Sequence, residues 1–325
     1  FLGTQWEFAK NFVFETNYTS TLGNKLLGVI DINTFNGRTR GGGSARINTS
    51  IAGDNFRSNA FRSNYHGLQM IVRKNFSNGL QFNANYTWSH ALDTLSDAFN
   101  NARGQILRPT NNFNVRNDYG NADFDIRHRF VVSYYYELPW GRGNRWLGGW
   151  NFGGIVTLQK GTPVQLFDSA GGGDANADGY RTDRPFYRGS GDINSIVQNN
   201  VSPADGYFNP DITATGSGPF RRIAANGSDC PAGSGQFISA TRWWCDSPLG
   251  RNGLIGPGYV NFDFNVAKDF KLTERVKMQF QANFFNLFNH TNFVNPVGNL
   301  NSSNFGKSLA AFQNRVTQLA VRFDF

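Results

Sequence analysis

Asp174-Ala175-Asn176-Ala177-Asp178-Gly179 has the spacing of a metal-binding loop. Oxygen donors at positions 1, 3 and 5, with Gly at 6 for the sharp turn, are what a Ca²⁺ loop needs. Position 7 would add the carbonyl of Tyr180. Position 12, where a bidentate acid belongs, is Pro185, and Asp183 at position 10 is the substitute. The competing reading is an Asp/Gly turn following Gly171-Gly172-Gly173. An ion held here would be structural, and no cofactor is required. Cys230 and Cys245 lie in the same stretch. In an oxidising compartment such a pair bridges, and closing about 15 residues is worth about 3 kcal/mol in the chain-entropy model. Free thiols are the alternative. His66, His90, His128 and His290 are scattered, with no HExxH, G-x-S-x-G or Cys/His cluster. They read as interfacial or lumenal polar residues, and the chain as a non-enzyme, although a Ser/His or Asp/His pair in a loop stays open.

The elements that must hold these residues follow from composition and period. The 325 residues carry a net charge of +8, 15% aromatics, only 17% charged residues and 37 Gly. Helix formers are too few for a helical protein, and aromatics too many for a disordered chain. No apolar run is long enough for a transmembrane helix. Aromatic and Gly-rich composition predicts an all-β chain with many turns.

Strict alternation, the signature of strands, recurs nine times. Leu2–Phe8, Phe12–Tyr18, Leu68–Phe76, Leu80–Trp88, Ile126–Leu138, Trp150–Leu158, Tyr259–Val266, Val276–Phe288 and Arg315–Phe325 all show it. The apolar positions are even-numbered in the first eight and odd-numbered in the last. Tight turns at 9–11, 77–79, 139–145 and 271–275 alternate with long connections at about 23–60, 94–125, 169–256 and 291–314. Short turns on one side and long loops on the other are the order of an antiparallel transmembrane β-barrel. Most strands run near membrane-spanning length, with aromatics at the ends of their apolar faces and Asn, Gln, Thr, Arg and Glu opposite. That predicts an outer-membrane barrel wall between lipid and a wet lumen, with a soluble β-sandwich binding module as the weaker reading. Bacterial single-chain barrels have even strand counts. Nine strands beginning on the long-loop side therefore predict the C-terminal part of a larger barrel. Phe1-Leu2-Gly3-Thr4 shows no signal-peptide pattern.

The basic balance does not predict nucleic-acid binding, because Arg and Lys form no stripe. Residues 169–256 hold eight acids and seven Arg. Arg73, Arg127 and Arg129 are expected in the lumen, against acids such as Glu15 or Glu137 or against a plug. Lys10, Lys74 and Lys268 are expected near the turn ends of lipid-facing strands, snorkelling to headgroups.

Asn85-Tyr86-Thr87-Trp88-Ser89-His90-Ala91-Leu92-Asp93 resembles a strand end of TonB-dependent outer-membrane receptors, closest to the Oar-like subgroup. Ser63–Gln69, Asp125–Phe130, Glu137–Gly141, Phe284–Phe293 and Gln318–Phe325 match in family order. The resemblance implies a barrel of about 22 strands with a plugged lumen, of which this chain would supply the last nine. It implies ligand capture by the extracellular loops and transport driven by TonB through an N-terminal region not in this chain. A structural or adhesive barrel binding a surface partner is the alternative. Leu319, Val321, Phe323 and Phe325 resemble the C-terminal signal read by the barrel-assembly machinery; the plainer reading of Phe325 is one more interfacial aromatic. Outer-membrane lipid is the other expected partner.

Overall fold

The computed structural model describes residues 1–39, 44–97, 109–141, 144, 146–168, 180, 183–187, 192–208, 220–221, 235–239, 242–245, 247, 249–273 and 275–324. Nine strands form the principal sheet: β1 (Leu2–Ala9), β2 (Phe12–Asp31), β3 (Asn55–Ser77), β4 (Leu80–Asp93), β5 (His128–Glu137), β6 (Trp150–Gln159), β7 (Tyr259–Lys271), β8 (Lys277–Phe285) and β9 (Val316–Asp324). Each pairs antiparallel with the next in chain order, and Gly120–Asn121 adds a short rung to β4. No helix among the described residues is long and apolar enough to cross a membrane.

The register carries the alternation through the whole sheet. Phe14 faces Val72, Phe82 faces Tyr134, and Phe264 faces Phe284. Even-numbered positions therefore share the apolar face. The change of parity in the last strand also appears, because Phe280 faces Val321 and Ala282 faces Leu319. Asn and Gln on the other face bond to one another and to acids. Asn151 and Gln279 both donate to Asp269, each at 2.8 Å, and Asn265 donates to Asn283. A one-residue slip would exchange the two faces, so the pattern fixes the register.

The hairpin β3–β4 closes on Asn78-Gly79, both with positive φ (51° and 78°), as a two-residue hairpin turn requires. A Cβ on Gly79 would lie 2.5 Å from the Glu137 carbonyl oxygen.

Two expectations are corrected. The stretch 23–60 is not all loop, because β2 continues to Asp31 and β3 begins at Asn55. The two strands pair throughout, with register shifts between Gly23 and Leu26 and again between Leu26 and Gly28. Nor do Lys74 and Lys268 reach outward. Lys268 is 3% exposed; its ammonium donates to the Gly148 carbonyl and lies 4.9 Å from the centre of the Phe270 ring. Lys74 donates to the carbonyls of Ser77 (2.9 Å) and Leu80 (2.8 Å). Each lysine curls back over its turn, where backbone carbonyls accept from the ammonium in place of lipid headgroups.

The apolar core does not lie in the sheet. Val164, Leu166, Ile193, Phe208, Phe220, Leu254, Leu300 and Phe305 form one buried cluster within the long connections. Phe208 and Phe305 meet edge-on at 5.0 Å between centroids, and Phe220 and Phe305 at 5.8 Å. Gly306 (φ +81°) passes so close that a Cβ there would lie 2.9 Å from the Phe208 carbonyl oxygen. This cluster is the core of a cap over the loop end of the sheet.

Candidate functional site

The first three long connections interlock at that end through buried polar groups. Asp31, at the tip of β2, is the first node. Its carboxylate accepts from the backbone N–H of Asn33 (2.9 Å) and Asp54 (2.8 Å), the Arg46 guanidinium (3.1 Å) and the Tyr180 hydroxyl (2.7 Å). Its own N–H donates to Asn112 at 2.9 Å. One residue thus joins the first connection to the second and third.

Arg251 is the second node. It is 8% exposed and donates to the Asp93 carboxylate, to Ser96 Oγ (2.6 Å) and to Asp123 (3.3 Å). Arg184 donates to the Asp118 carboxylate, to the Asn117 carbonyl (2.9 Å) and to the Leu249 carbonyl (2.8 Å). Asp118 also accepts from the Thr110 N–H and hydroxyl, both at 2.7 Å. Guanidinium forks suit such sites because several donors diverge from one plane. The fourth connection joins through Phe305 and a bridge between Phe167 and Asn299.

Tyr207 donates to the Ile255 carbonyl at 2.8 Å beside the apolar cluster, and burial pushes its hydroxyl up to about 12. Asp192 caps the short turn Ile193–Ile196. The backbone N–H and side chain of Asn194 donate to its carboxylate and hold it below the usual range.

Beneath the cap a groove of about 1020 Å³ opens between the loop ends of β5, β6 and β7 and the segment 293–312. Phe124, Phe167, Tyr259, Phe293 and Phe312 give it aromatic walls, with Asn295 and Gln159 among the polar groups. Its ionisable lining groups are Asp123 and Tyr259. Asp123 is held by Arg251 and Asn252, an arrangement suited to structure rather than proton transfer. Ring faces with a few amides suit an amphipathic ligand.

The residues singled out in the sequence fall as follows. Asp174, Asn176 and Asp178 lie outside the described residues, while Asp183 is buried and Tyr180 bonds to Asp31. No group of three or more His, Cys, Asp or Glu among the described residues could hold a metal ion. Cys230 lies outside the described residues, and Cys245 is described only as part of the strand Arg242–Cys245. Leu319, Val321 and Phe323 are exposed on the apolar face of β9, whereas Phe325 lies outside the described residues. Arg127 pairs with Asp125 (2.9 Å) and meets His90 (2.6 Å), not Glu15 or Glu137. Sequence reasoning did not single out Asp31, Arg184 or Arg251, whose partners lie up to 158 residues away.

No curated protein matches the sequence. Among solved structures, the chain is similar to the outer membrane transporter YddB from Escherichia coli, at 9% identity and a TM-score of 0.46, over 99% of this chain and 31% of that one. It is similar to the siderophore receptor PiuA from Acinetobacter baumannii at 11% identity and a TM-score of 0.45, over 99% and 27%. The ferripyoverdine receptor of Pseudomonas aeruginosa gives 9% identity and a TM-score of 0.42, over 97% and 25%. The chain thus spans less than a third of the length of these structures. A family model for the outer membrane beta barrel domain matches residues 1–318. With an antiparallel sheet of one apolar and one polar face, the chain belongs to the outer membrane beta barrel domain family.

Proposed function

We propose that the chain is the C-terminal part of the barrel of a TonB-dependent outer-membrane receptor. Its cap captures a ligand that then passes through the lumen. Family membership places the sheet in the outer membrane, with the apolar face toward lipid and the polar face toward water. The observation that carries the reading is the cap itself. Four connections far apart in sequence fold into one body with its own core, over an aromatic groove at the mouth. A barrel serving only as a wall needs no such body. The strand-end motif at Asn85–Asp93 supports the TonB-dependent assignment.

The test uses the full-length protein that carries this segment. The expected upstream sequence contains a plug domain and a TonB box, and the purified protein binds the periplasmic domain of TonB. A full-length protein with neither feature and no TonB binding would leave the adhesive barrel as the better reading.

A further inference from the structure

The Tyr18 hydroxyl lies 2.6 Å from His66 Nδ1, and the Tyr86 hydroxyl 2.8 Å from His128 Nδ1. The rings stack alike in the two pairs, at 6.1 and 6.2 Å between centroids and 23° and 21° between planes. The register is also the same. Tyr18 faces Leu68 and Tyr86 faces Phe130, and each tyrosine reaches the histidine two residues nearer the loop end. One pair bridges β2 and β3, the other β4 and β5, so the device is built twice from different strands. All four residues are even-numbered and lie on the apolar face. The pairs are two strand spacings apart, about 10 Å.

Their level follows from strand length. His128 opens a strand of 10 residues and Lys160 follows another of 10, the length that crosses a bilayer. Both therefore sit where hydrocarbon gives way to outer headgroups. Trp88 faces His128 across the ladder and is 53% exposed, as a residue of the interfacial belt should be. The Lys160 N–H donates to the His128 carbonyl at 2.9 Å, which sets the two side by side. Lys160 enters none of the ion pairs among the described residues. Arg62 also lies on this face, stacked over Tyr119, and His90, opposite His66, is engaged by Asn121 and Arg127.

We propose that this strip docks lipids with phosphate-bearing headgroups. When a tyrosine hydroxyl donates to Nδ1, the imidazole carries its proton on Nε2. Each pair thereby presents one oriented N–H donor at headgroup height. Lys160 adds a positive charge beside one of them. A phosphate oxygen is the acceptor that matches both, and the acyl chains lie against Leu68 and the aromatic belt below. The inference rests on the outer-membrane placement and not on the transport reading.

The experiment titrates the full-length protein, purified in detergent, with dioleoyl phosphatidic acid and with dioleoylglycerol, and counts bound lipid by native mass spectrometry. The wild type should retain phosphatidic acid under conditions that strip dioleoylglycerol. Losing a hydrogen bond to a charged group costs about a factor of ten, so His66→Phe/His128→Phe, which keeps a ring but has no N–H donor, should weaken retention at least that much. Should that variant fail to fold, Tyr18→Phe/Tyr86→Phe keeps both imidazoles and should lower retention by freeing the tautomer. Equal retention of the two lipids, or unchanged retention in a folded variant, would overturn the proposal. So would displacement of the lipid by inorganic phosphate alone, which would mark a site for the free anion.

Discussion

Replacing Phe208 with Ala tests whether the cap is a cooperative body in its own right. Phe208 is fully buried and touches Phe305, Phe220 and Tyr207 edge-on. Truncating a buried Phe costs about 3–5 kcal/mol, from lost transfer energy plus the cavity left behind. The surrounding rings belong to segments on both sides of β7, so the cavity can close only by moving two connections together. If the cap opens as a local unit, a cost of about 3–4 kcal/mol raises its open population about 10² to 10³-fold. The assay is limited proteolysis of the full-length protein in membrane vesicles, where cleavage follows the open population if reclosing is fast. Cleavage should accelerate within 180–208 and 293–312, while the barrel keeps its resistance to denaturation by detergent. Phe280→Ala, on the lipid-facing side and 40% exposed, is the control: it should weaken the barrel and leave cap cleavage unchanged. If Phe208→Ala is cut at the wild-type rate, the loops are not held by this core. If cap and barrel fail together, they are one cooperative unit and the argument fails.

Arg251→Met should leave the buried carboxylate of Asp93 without its counter-charge and destabilise the cap by about 3–5 kcal/mol; Asp93→Asn in the same chain should restore part of the loss in the proteolysis assay. Phe280→Arg should cost up to about 2–4 kcal/mol in a folding titration into liposomes, whereas Gln281→Arg on the lumen side should be nearly neutral. Equal costs would contradict the assignment of faces. Lys268→Met should remove the donor that satisfies the Gly148 carbonyl and lower barrel stability by about 1–3 kcal/mol in the same titration. Burial pushes the Tyr207 hydroxyl up to about 12, above the ordinary tyrosine value of about 10, so its contribution is complete below pH 10 and is lost as pH rises toward 12. After allowance for partial exposure this is about 1–2 kcal/mol, and Tyr207→Phe should flatten the alkaline limb of cap cleavage.

The strands were legible because lipid and water impose opposite demands at every step. Phe280, Gln281, Ala282 and Asn283 alternate on β8, and the register with β9 preserves that division even though the parity of the last strand differs. The cap was not legible for the converse reason. Ile193, Phe208, Phe220, Leu254 and Phe305 are scattered among Gly, Asp and Asn with no shared period, so nothing local marks them as one core. Arg184 and Arg251 looked like two of seven arginines in a loop balanced by acids. Only the fold brings Asp118 and Asp93 to them. Lys74 and Lys268 occupied the positions expected of snorkelling lysines, but the nearby turn carbonyls offered closer acceptors than the headgroups. The extension of β2 and β3 beyond the bilayer was hidden because Gly23, Lys25 and Gly28 interrupt the alternation where the register shifts.

That hairpin is also a lever. β2 and β3 have 20 and 23 residues, roughly twice the length that crosses a membrane. Its outer half therefore projects about 25 Å beyond the bilayer at ordinary strand rise and tilt. Bulges bend strands and increase their twist, and the two register shifts fall where the projection begins. The tip carries Asp31, to which Arg46, Asn112 and Tyr180 are fastened. A change of about 5° in strand tilt at the root swings such an arm by about 2 Å at its tip, more than a hydrogen bond survives. Deformation of the barrel wall would thus reach the cap magnified, and the Asp31 contacts are the first that it would break.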